Sequence, residues 1–253
     1  MVQAVSTSGQ KQAFAAAIAG RPYFQALLGR DLALWADNPG APTRLFTVGR
    51  AALTVGGTTA QLCGHPGDWE ELDSFLRFVG VQALTTSRVP PAGWLLRRNL
   101  FLYGLPAGRV LPTPPPPSGL TLDRAPSVST IAQELFSDRP ERRDHFYSET
   151  CTALAHGFAR VVALRDPEGR MVSTVGAYAM ANGEAYLAMG ETMAPLRGRG
   201  IGGWLIPTLA NELAGEGWNV TFLCEESRRH FYERLGFAPM GQYGQYEMKT
   251  TGI

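Results

Sequence analysis

The residues with the clearest chemical potential form a glycine-rich segment, Leu196-Arg197-Gly198-Arg199-Gly200-Ile201-Gly202-Gly203, between a predicted strand and a predicted helix. The first backbone N–H groups of a helix have no partner inside it, and they point toward an anion bound at that end. Glycines let the backbone approach such an anion because they carry no Cβ, while Arg197 and Arg199 add positive charge. The segment from Arg197 to Gly203 therefore predicts a phosphate or pyrophosphate site built mainly from main-chain N–H groups.

Two nucleotide-binding patterns overlap this segment, and its surroundings disfavour both. Gly198, Gly200 and Gly203 fit the G-x-G-x-x-G fingerprint of dinucleotide-binding proteins, with Glu225 downstream at the distance of a ribose contact. That fingerprint follows its strand directly, whereas Pro195-Leu196-Arg197 intervene here, and the stretch after Gly203 is too short for a doubly wound sheet. The last glycine is not followed by Lys-Ser or Lys-Thr, which excludes a P-loop. A nicotinamide dinucleotide enzyme stays an alternative, which predicts affinity for NADH and none for CoA.

Two motifs taken together give a closer match. Arg197-x-x-Gly200-x-Gly202 resembles the pyrophosphate loop (R/Q-x-x-G-x-G/A) of the GNAT superfamily of N-acetyltransferases, which bind acetyl-CoA. Phe231-Tyr232-Glu233-Arg234-Leu235-Gly236-Phe237 resembles the F-Y-x-x-x-G-F segment of the same superfamily, and the β-α-β-α order between the motifs also matches. The resemblance is sharpest over Gly190–Pro239 and extends over Leu120–Met248. It implies that acetyl-CoA is the cosubstrate and that the loop from Arg197 to Gly203 binds it.

The resemblance also implies a reaction, in which a primary amine of a small-molecule or peptide acceptor attacks the acetyl thioester directly. Tyr232 matches the tyrosine that protonates the departing thiolate in many family members, and a phenol with a pKa near 10 is protonated at neutral pH. The backbone N–H of Thr192 or Met193 matches the family's donor to the developing oxyanion. Glu191 is the candidate base, because it ends the strand where the acceptor amine would approach.

Each of these roles has a simpler structural alternative. A packed side chain with a satisfied hydroxyl is the alternative for Tyr232, ordinary strand pairing for Thr192 and Met193, and plain solvation for Glu191. Glu225 and its neighbour Glu226 are rival bases, although Glu225 stands where many members carry an asparagine. For the whole domain, the alternative is a non-catalytic acyl-CoA-binding or regulatory domain. Tyr232→Phe would leave such a binder almost unchanged, whereas an enzyme would lose turnover.

The composition argues against several other classes of protein. The chain has 253 residues, 45% of them hydrophobic, and a formal net charge of +1, so it lacks the basic surface expected of a nucleic-acid-binding protein. Its apolar runs fall short of the roughly 18–20 residues that span a bilayer. The cysteines have no C-x-x-C spacing and the histidines no H-E-x-x-H spacing, so we expect no metal site. We therefore expect a cytoplasmic protein without nucleic-acid or membrane partners, with a homodimer left open.

The elements around the motifs predict the fold that positions them. Hydrophobic periodicity and turn residues give the second module the order β-α-α-β-β-β-α-β-α-β, with turns at Asp166-Pro167-Glu168-Gly169 and at Asn182-Gly183. Pro207 falls inside the helix that follows the glycine loop, and the last predicted helix covers Ser227–Leu235. In line with the resemblance, we expect an α/β fold in which a mixed, mostly antiparallel, splayed sheet is flanked by helices.

A proline-rich segment, Leu111–Ser118, predicts the boundary between two modules, because four consecutive prolines fit neither a helix nor a central strand. The predicted domains are an α/β module at 1–110, a linker at 111–118 and the acetyltransferase domain at 119–253. In the first module, Arg44–Val55 and Thr58–Cys63 are predicted to be strands. Asp68 can cap an amphipathic helix that ends at Phe78, and Gly64-His65-Pro66-Gly67 predicts a turn before it. We hypothesise that this module is a degenerate copy of the second, without the glycine loop, which shapes the acceptor cleft or a dimer interface.

Overall fold

The computed structural model describes residues 1–249, which fall into two compact units. Unit one contains Met1–Leu102, Leu223–Arg229 and the segment that begins at Pro239, and unit two contains Tyr103–Phe222 and His230–Ala238. Both units are therefore discontinuous along the chain. The sequential division into 1–110, 111–118 and 119–253 stays a prediction, since the units are defined by contacts and not by chain order.

Unit one is a sheet with helices inserted between its strands. Its elements are, in chain order, β1 (Val2–Ala4), α1 (Ser8–Ile18), α2 (Pro22–Trp35), β2 (Thr43–Val48), β3 (Ala51–Gly56), β4 (Thr59–Cys63), α3 (Trp69–Phe78), β5 (Ala83–Thr86), most of β6 (Trp94–Leu105) and most of β12 (Ala238–Met248). The strand order is β1-β2-β3-β4-β5-β12-β6. Neighbours from β1 to β4 are antiparallel, β4 and β5 are parallel, and β12 is antiparallel to β5.

The sequence of unit one contains local signals for these elements. Helix α1 begins with a capping box. The Thr7 hydroxyl oxygen accepts a hydrogen bond from the Gln10 backbone N–H, and the Gln10 side-chain oxygen accepts one from the Thr7 backbone N–H. Helix α3 is amphipathic, and it buries Leu72 and Leu76 completely against the sheet. The predicted single strand over Arg44–Val55 is wrong. It is a hairpin of β2 and β3, because Gly49 adopts the left-handed region (φ +59°) that a tight turn requires.

Unit two has the element order predicted for the second module as far as its last helix, whereas the predicted last strand, β12, lies mostly in unit one. Its elements are β7 (Thr121–Asp123), α4 (Val128–Phe136), α5 (Pro140–Ala155), β8 (Arg160–Arg165), β9 (Met171–Ala181), β10 (Glu184–Thr192), α6 (Ile201–Gly215), the first part of β11 (Asn219–Glu225) and most of α7 (Arg229–Arg234). The strand order from the end of β6 is β6-β11-β10-β9-β8-β7. Only β10 and β11 are parallel among the pairs from β7 to β11 whose register is described.

These observations confirm the predicted fold class. Both units are α/β, and their sheets are mixed and mostly antiparallel. Helix α6 continues through Pro207, which is buried, from the glycine loop to Gly215. The sequence reasoning missed β6, whose residues alternate poorly between apolar and polar types. It also predicted a single helix over Ser227–Leu235, whereas the structure has a short 3₁₀ turn followed by α7.

Candidate functional site

The amino end of α6 is open toward anions. Gly200 occupies the cap position with a left-handed backbone (φ +78°), and no side chain of the described residues caps this end. The first turn of α6 carries no acidic residue. A Cβ built on Gly198 or Gly200 would meet no heavy atom within 4 Å, so the loop backbone faces open space. The unpaired N–H groups of the first turn are therefore accessible to a bound anion, which is the geometry the glycine loop predicted.

The Arg197 side chain connects the loop to the end of β10. The Arg197 Nε donates to the Thr192 carbonyl oxygen at 2.9 Å, and its Nη2 forms an ion pair with the Glu191 carboxylate. A Cβ on Gly202 would lie 3.5 Å from the Thr192 Oγ1, so the first turn of α6 lies beside the same strand end. The structure therefore brings together the predicted base Glu191, the predicted main-chain donor Thr192 and the loop. Arg199, the other predicted loop cation, is exposed.

Strand β10 parts from β11 at this end. The parallel pairing joins Glu184–Tyr186 to Asn219–Thr221 and goes no further, whereas the pairing of β10 with β9 continues to Thr192. That second pairing shifts register between Ala188 and Glu191, and Met189 within the shift has a left-handed backbone (φ +52°), as in a β-bulge. The edge of β10 that faces away from β9 is thus unpaired with β11 beyond Tyr186. Its main-chain groups are available to an extended ligand.

The two amides predicted to face the acyl oxygen differ in direction. The Met193 N–H donates to the Val172 carbonyl at 2.9 Å, which is the ordinary strand pairing named above as its alternative. In an antiparallel pair, successive residues point their N–H groups to opposite sides. The Thr192 N–H therefore points away from β9, toward the open edge. Thr192 also holds its hydroxyl 3.0 Å from that of Ser173, its partner across the pair.

Tyr232 lies on α7, among other aromatic rings. Its ring centroid is 4.3 Å from that of Phe222 on β11, and the rings of Phe231 and Phe237 are at 5.1 Å and 6.3 Å. The side chain is half-buried. Leu235, just after α7, lies 3.9 Å from a Cβ built on Gly203 in the first turn of α6. The two sequence motifs, separated along the chain, are therefore neighbours in unit two.

The two rival bases, Glu225 and Glu226, belong to unit one. Glu225 is exposed in unit one, where its carboxylate lies 3.4 Å from Arg98, and Glu226 pairs with Arg229 at 3.0 Å. Sequence reasoning missed the bulge at Met189 and Gly190, for which a glycine inside a strand pattern was the available signal. Within residues 1–249, no three His, Cys, Asp or Glu side chains gather as a metal would require.

Comparison with known proteins gives the same assignment at the level of the family. The model of the Acetyltransferase (GNAT) family matches residues 125–237. A search of curated proteins found no match.

None of the helices within residues 1–249 is both long and apolar enough to cross a membrane.

Solved structures resemble nearly the whole chain. A tandem GNAT protein from the clavulanic acid biosynthesis pathway matches with a TM-score of 0.63 and 16% identity, over 100% of this chain and 99% of that one. A GCN5-related N-acetyltransferase from Sphaerobacter thermophilus matches with a TM-score of 0.65 and 16% identity, over 100% and 96%. A Drosophila protein matches with a TM-score of 0.68 and 13% identity, over 99% of both chains. At these identities the likeness concerns the fold, which is that of tandem GNAT proteins.

Proposed function

Because residues 125–237 match the model of the Acetyltransferase (GNAT) family, we propose that this protein transfers an acetyl group from acetyl-CoA to a primary amine on a small molecule or peptide. The single observation that carries the proposal is the uncapped amino end of α6, which adjoins the unpaired edge of β10. The first feature suits the diphosphate of CoA and the second suits its extended pantetheine arm. Both lie in unit two.

The phosphate end of the cosubstrate is assigned to the loop. The N–H groups of Ile201, Gly202 and Gly203 have no intrahelical partners, and the positive end of the α6 dipole adds to their attraction for an anion. Arg199 is exposed and free to approach a phosphate, while Arg197 is held between Glu191 and Thr192. We assign Arg197 mainly to shaping the loop, with its exposed guanidinium contributing charge.

The acyl end is assigned to the open edge of β10. The Thr192 N–H points toward this edge, so it is the proposed donor to the thioester carbonyl as negative charge develops there. The Met193 N–H is engaged with Val172. A donor fixed in a strand needs no reorganisation during the reaction, which is the property that makes such groups effective.

The chemical step needs two proton transfers. The neutral amine nitrogen attacks the carbonyl carbon, the C–S bond breaks, and the sulfur takes a proton that we assign to the Tyr232 hydroxyl. Glu191 is the proposed base, which takes a proton from the ammonium form of the acceptor before the attack, and the proton that the nitrogen loses as the amide forms returns to the Tyr232 oxygen. A base is useful because a lysine-like amine with a pKa near 10.4 is almost entirely protonated at neutral pH. Its Arg197 partner fixes the Glu191 carboxylate at the end of β10.

The proposal is tested first by ligand-dependent thermal unfolding and then by turnover. Acetyl-CoA and desulfo-CoA at about 100 times their dissociation constants should each add about 2.7 kcal/mol to the free energy of unfolding. NADH at the same concentration should add nothing. Release of free CoA thiol is then followed with a library of primary amines. Stabilisation by NADH alone would refute the assignment of the loop, and binding of acetyl-CoA without turnover on any amine would favour the non-catalytic acyl-CoA-binding alternative.

A further inference from the structure

A tyrosine from before the proline-rich segment lies inside unit two. Tyr103 stands near the end of β6 and is fully buried, with no exposed surface. Its hydroxyl donates to the Glu233 Oε1 at 2.5 Å, across 130 positions of the chain. Its ring stacks on that of Phe222, with centroids 6.0 Å apart and planes 14° apart. Neither contact is explained by the loop or by the transfer chemistry assigned above.

Both contacts act on the helix that carries Tyr232. Glu233 is the next residue on α7, and the Phe222 ring centroid lies 4.3 Å from that of Tyr232. Helix α7 has only six residues, which is far too short to be stable by itself. Its orientation therefore depends on tertiary contacts of this kind. The rings of Tyr103 and Tyr232 are themselves 6.5 Å apart.

The hydrogen bond is of the strong type. An O–H donor and a carboxylate acceptor at 2.5 Å form a charge-assisted bond, which is shorter and stronger than a bond between neutral groups. A buried phenol also needs a partner, so it selects the rotamer and position of Glu233. The other oxygen of Glu233 lies 3.4 Å from the His230 Nδ1, and the carboxylate side chain is 35% exposed. Glu233 is thus held at its buried side by Tyr103.

We propose that Tyr103 is a positioning residue for the acetyl transfer: its hydroxyl and ring fix α7 through Glu233 and Phe222, and so fix the Tyr232 hydroxyl at the leaving sulfur. This proposal rests on the proposed function. It assigns to the N-terminal half of the chain a direct part in the geometry of the C-terminal site, without any contact between Tyr103 and the substrates.

The test is steady-state kinetics of Tyr103→Phe in the full chain. The variant keeps the ring and loses the hydroxyl, so kcat should fall about tenfold, the scale of one charged hydrogen bond. The KM for acetyl-CoA should stay within twofold of wild type, because the loop and β10 are untouched. Tyr23→Phe is the matched control: Tyr23 is a buried tyrosine in unit one whose hydroxyl donates to the Gln61 Oε1 at 2.8 Å. It should lose thermal stability without losing kcat.

Variants of the partner complete the test. Glu233→Gln keeps an acceptor oxygen for the Tyr103 hydroxyl and should retain most of kcat, whereas Glu233→Ala should lose about as much as Tyr103→Phe. The double variant Tyr103→Phe/Glu233→Ala should be no worse than either single one, since both remove the same bond. Glu233→Ala also serves if Tyr103→Phe fails to fold, because Glu233 is partly exposed.

Two results would overturn the inference. In an active wild type, a kcat for Tyr103→Phe within twofold of wild type, or additive losses in the double variant, would refute positioning and leave the proposed function intact. A wild type that binds desulfo-CoA but acetylates no amine would overturn the inference together with the proposed transfer. Thermal unfolding with desulfo-CoA, performed on each variant, distinguishes these cases from loss of the cosubstrate site.

Discussion

The helix that follows the fourth strand begins differently in the two units, although both have the element order β-α-α-β-β-β-α-β. In unit one, the Asp68 carboxylate accepts from the backbone N–H groups of Glu70 and Glu71 at 2.9 and 3.0 Å, and both glutamates add negative charge to the first turn of α3. In unit two, the corresponding end of α6 has Gly200 at the cap and no acidic first turn. The same topology thus presents a closed, negative helix end in one unit and an open one in the other.

The parallel strand pair is also closed in unit one and open in unit two. In unit one, Thr59–Leu62 pairs with Ala83–Thr86, which uses all of β5 and all but the last residue of β4. In unit two, the pairing of β10 with β11 stops at Tyr186, and the rest of β10 pairs only with β9. Unit one therefore has no unpaired strand edge, within its described residues, at the place where unit two offers one to an extended ligand.

The third difference concerns the proposed acid. The chain between β11 and β12 contains α7 with Tyr232, whereas residues 87–93, between β5 and β6, contain no helix. Unit one thus shares the order β-α-α-β-β-β-α-β with unit two, and differs from it in the two features proposed to bind the cosubstrate and in the helix that carries the proposed acid. The same order of strands and helices can therefore form with or without the features proposed for the acetyl-CoA site. We interpret unit one as a second copy that keeps the architecture.

The largest effect is expected at the residue that unit one lacks. Tyr232→Phe removes the proposed acid and keeps the aromatic packing, so kcat should fall about 100-fold, within the range of general acid catalysis. Stabilisation by desulfo-CoA should be unchanged. Steady-state kinetics and thermal unfolding measure the two quantities. Unchanged kcat would show that another group protonates the sulfur, and the comparison would lose its third element.

The next largest effect is expected when the cap position of α6 in unit two receives an aspartate like the one that caps α3 in unit one. Gly200→Asp places a carboxylate at the cap of α6, as Asp68 does at α3, and should raise the KM for acetyl-CoA about tenfold by repulsion and by occupying the N–H groups. Titration with desulfo-CoA, followed by calorimetry, checks the loss of affinity.

Two controls isolate the charge in that experiment. Gly200→Asn has nearly the same shape and also tolerates a left-handed backbone, so it should raise KM less than the aspartate does. Asp68→Asn in unit one should leave KM unchanged. Equal effects of Asp and Asn at position 200 would attribute the loss to backbone strain or to occupied N–H groups instead of charge.

An effect of similar size is expected at the end of β10, where unit one has no carboxylate. Glu191→Gln preserves an acceptor for Arg197 and removes the proposed base, so kcat/KM should fall about tenfold near pH 7. The loss should shrink as the pH rises toward the acceptor amine's pKa, because the amine is then already neutral. A pH profile of kcat/KM decides this, and a loss that is constant with pH would assign Glu191 to the loop alone.

The smallest effect concerns stability at the paired end of β10. Glu184 is buried, its Oε1 accepts from the Asn219 side chain at 3.1 Å, and its Oε2 has no hydrogen-bond partner among the described residues. Burial raises the pKa of the Glu184 carboxyl above its usual value, although the Asn219 hydrogen bond opposes this. A raised pKa favours the folded state below the unfolded pKa, and this contribution is lost as the pH rises through the folded pKa.

Glu184→Gln should therefore raise Tm by about 2–4 °C at pH 7.5 and by less at pH 5. Thermal unfolding at the two pH values measures the difference. In unit one, the equivalent first pair is Thr59 with Ala83 and holds no such charge. A gain that is equal at both pH values would show that the carboxylate's ionisation is not the cause.

The sequence determined the local features of this protein. The glycine loop predicted the open amino end of α6, Asp68 predicted the cap of α3, and the turns at Asp166 and Asn182 predicted the hairpins of unit two. These features depend on a few neighbouring residues, whose backbone preferences and hydrogen-bonding groups act over short distances. For that reason they can be read from the chain in order.

Only the tertiary structure decided how those features combine. Whether the Thr192 or the Met193 amide faces the open edge depends on the register with β9, and the pairing of Glu191 with Arg197 depends on the path of the loop. The Tyr103–Glu233 contact joins residues 130 positions apart, and the last strand of the chain lies between β5 and β6 in unit one. Such long-range contacts leave no local pattern, because their energy is gained only when distant segments have already been brought together.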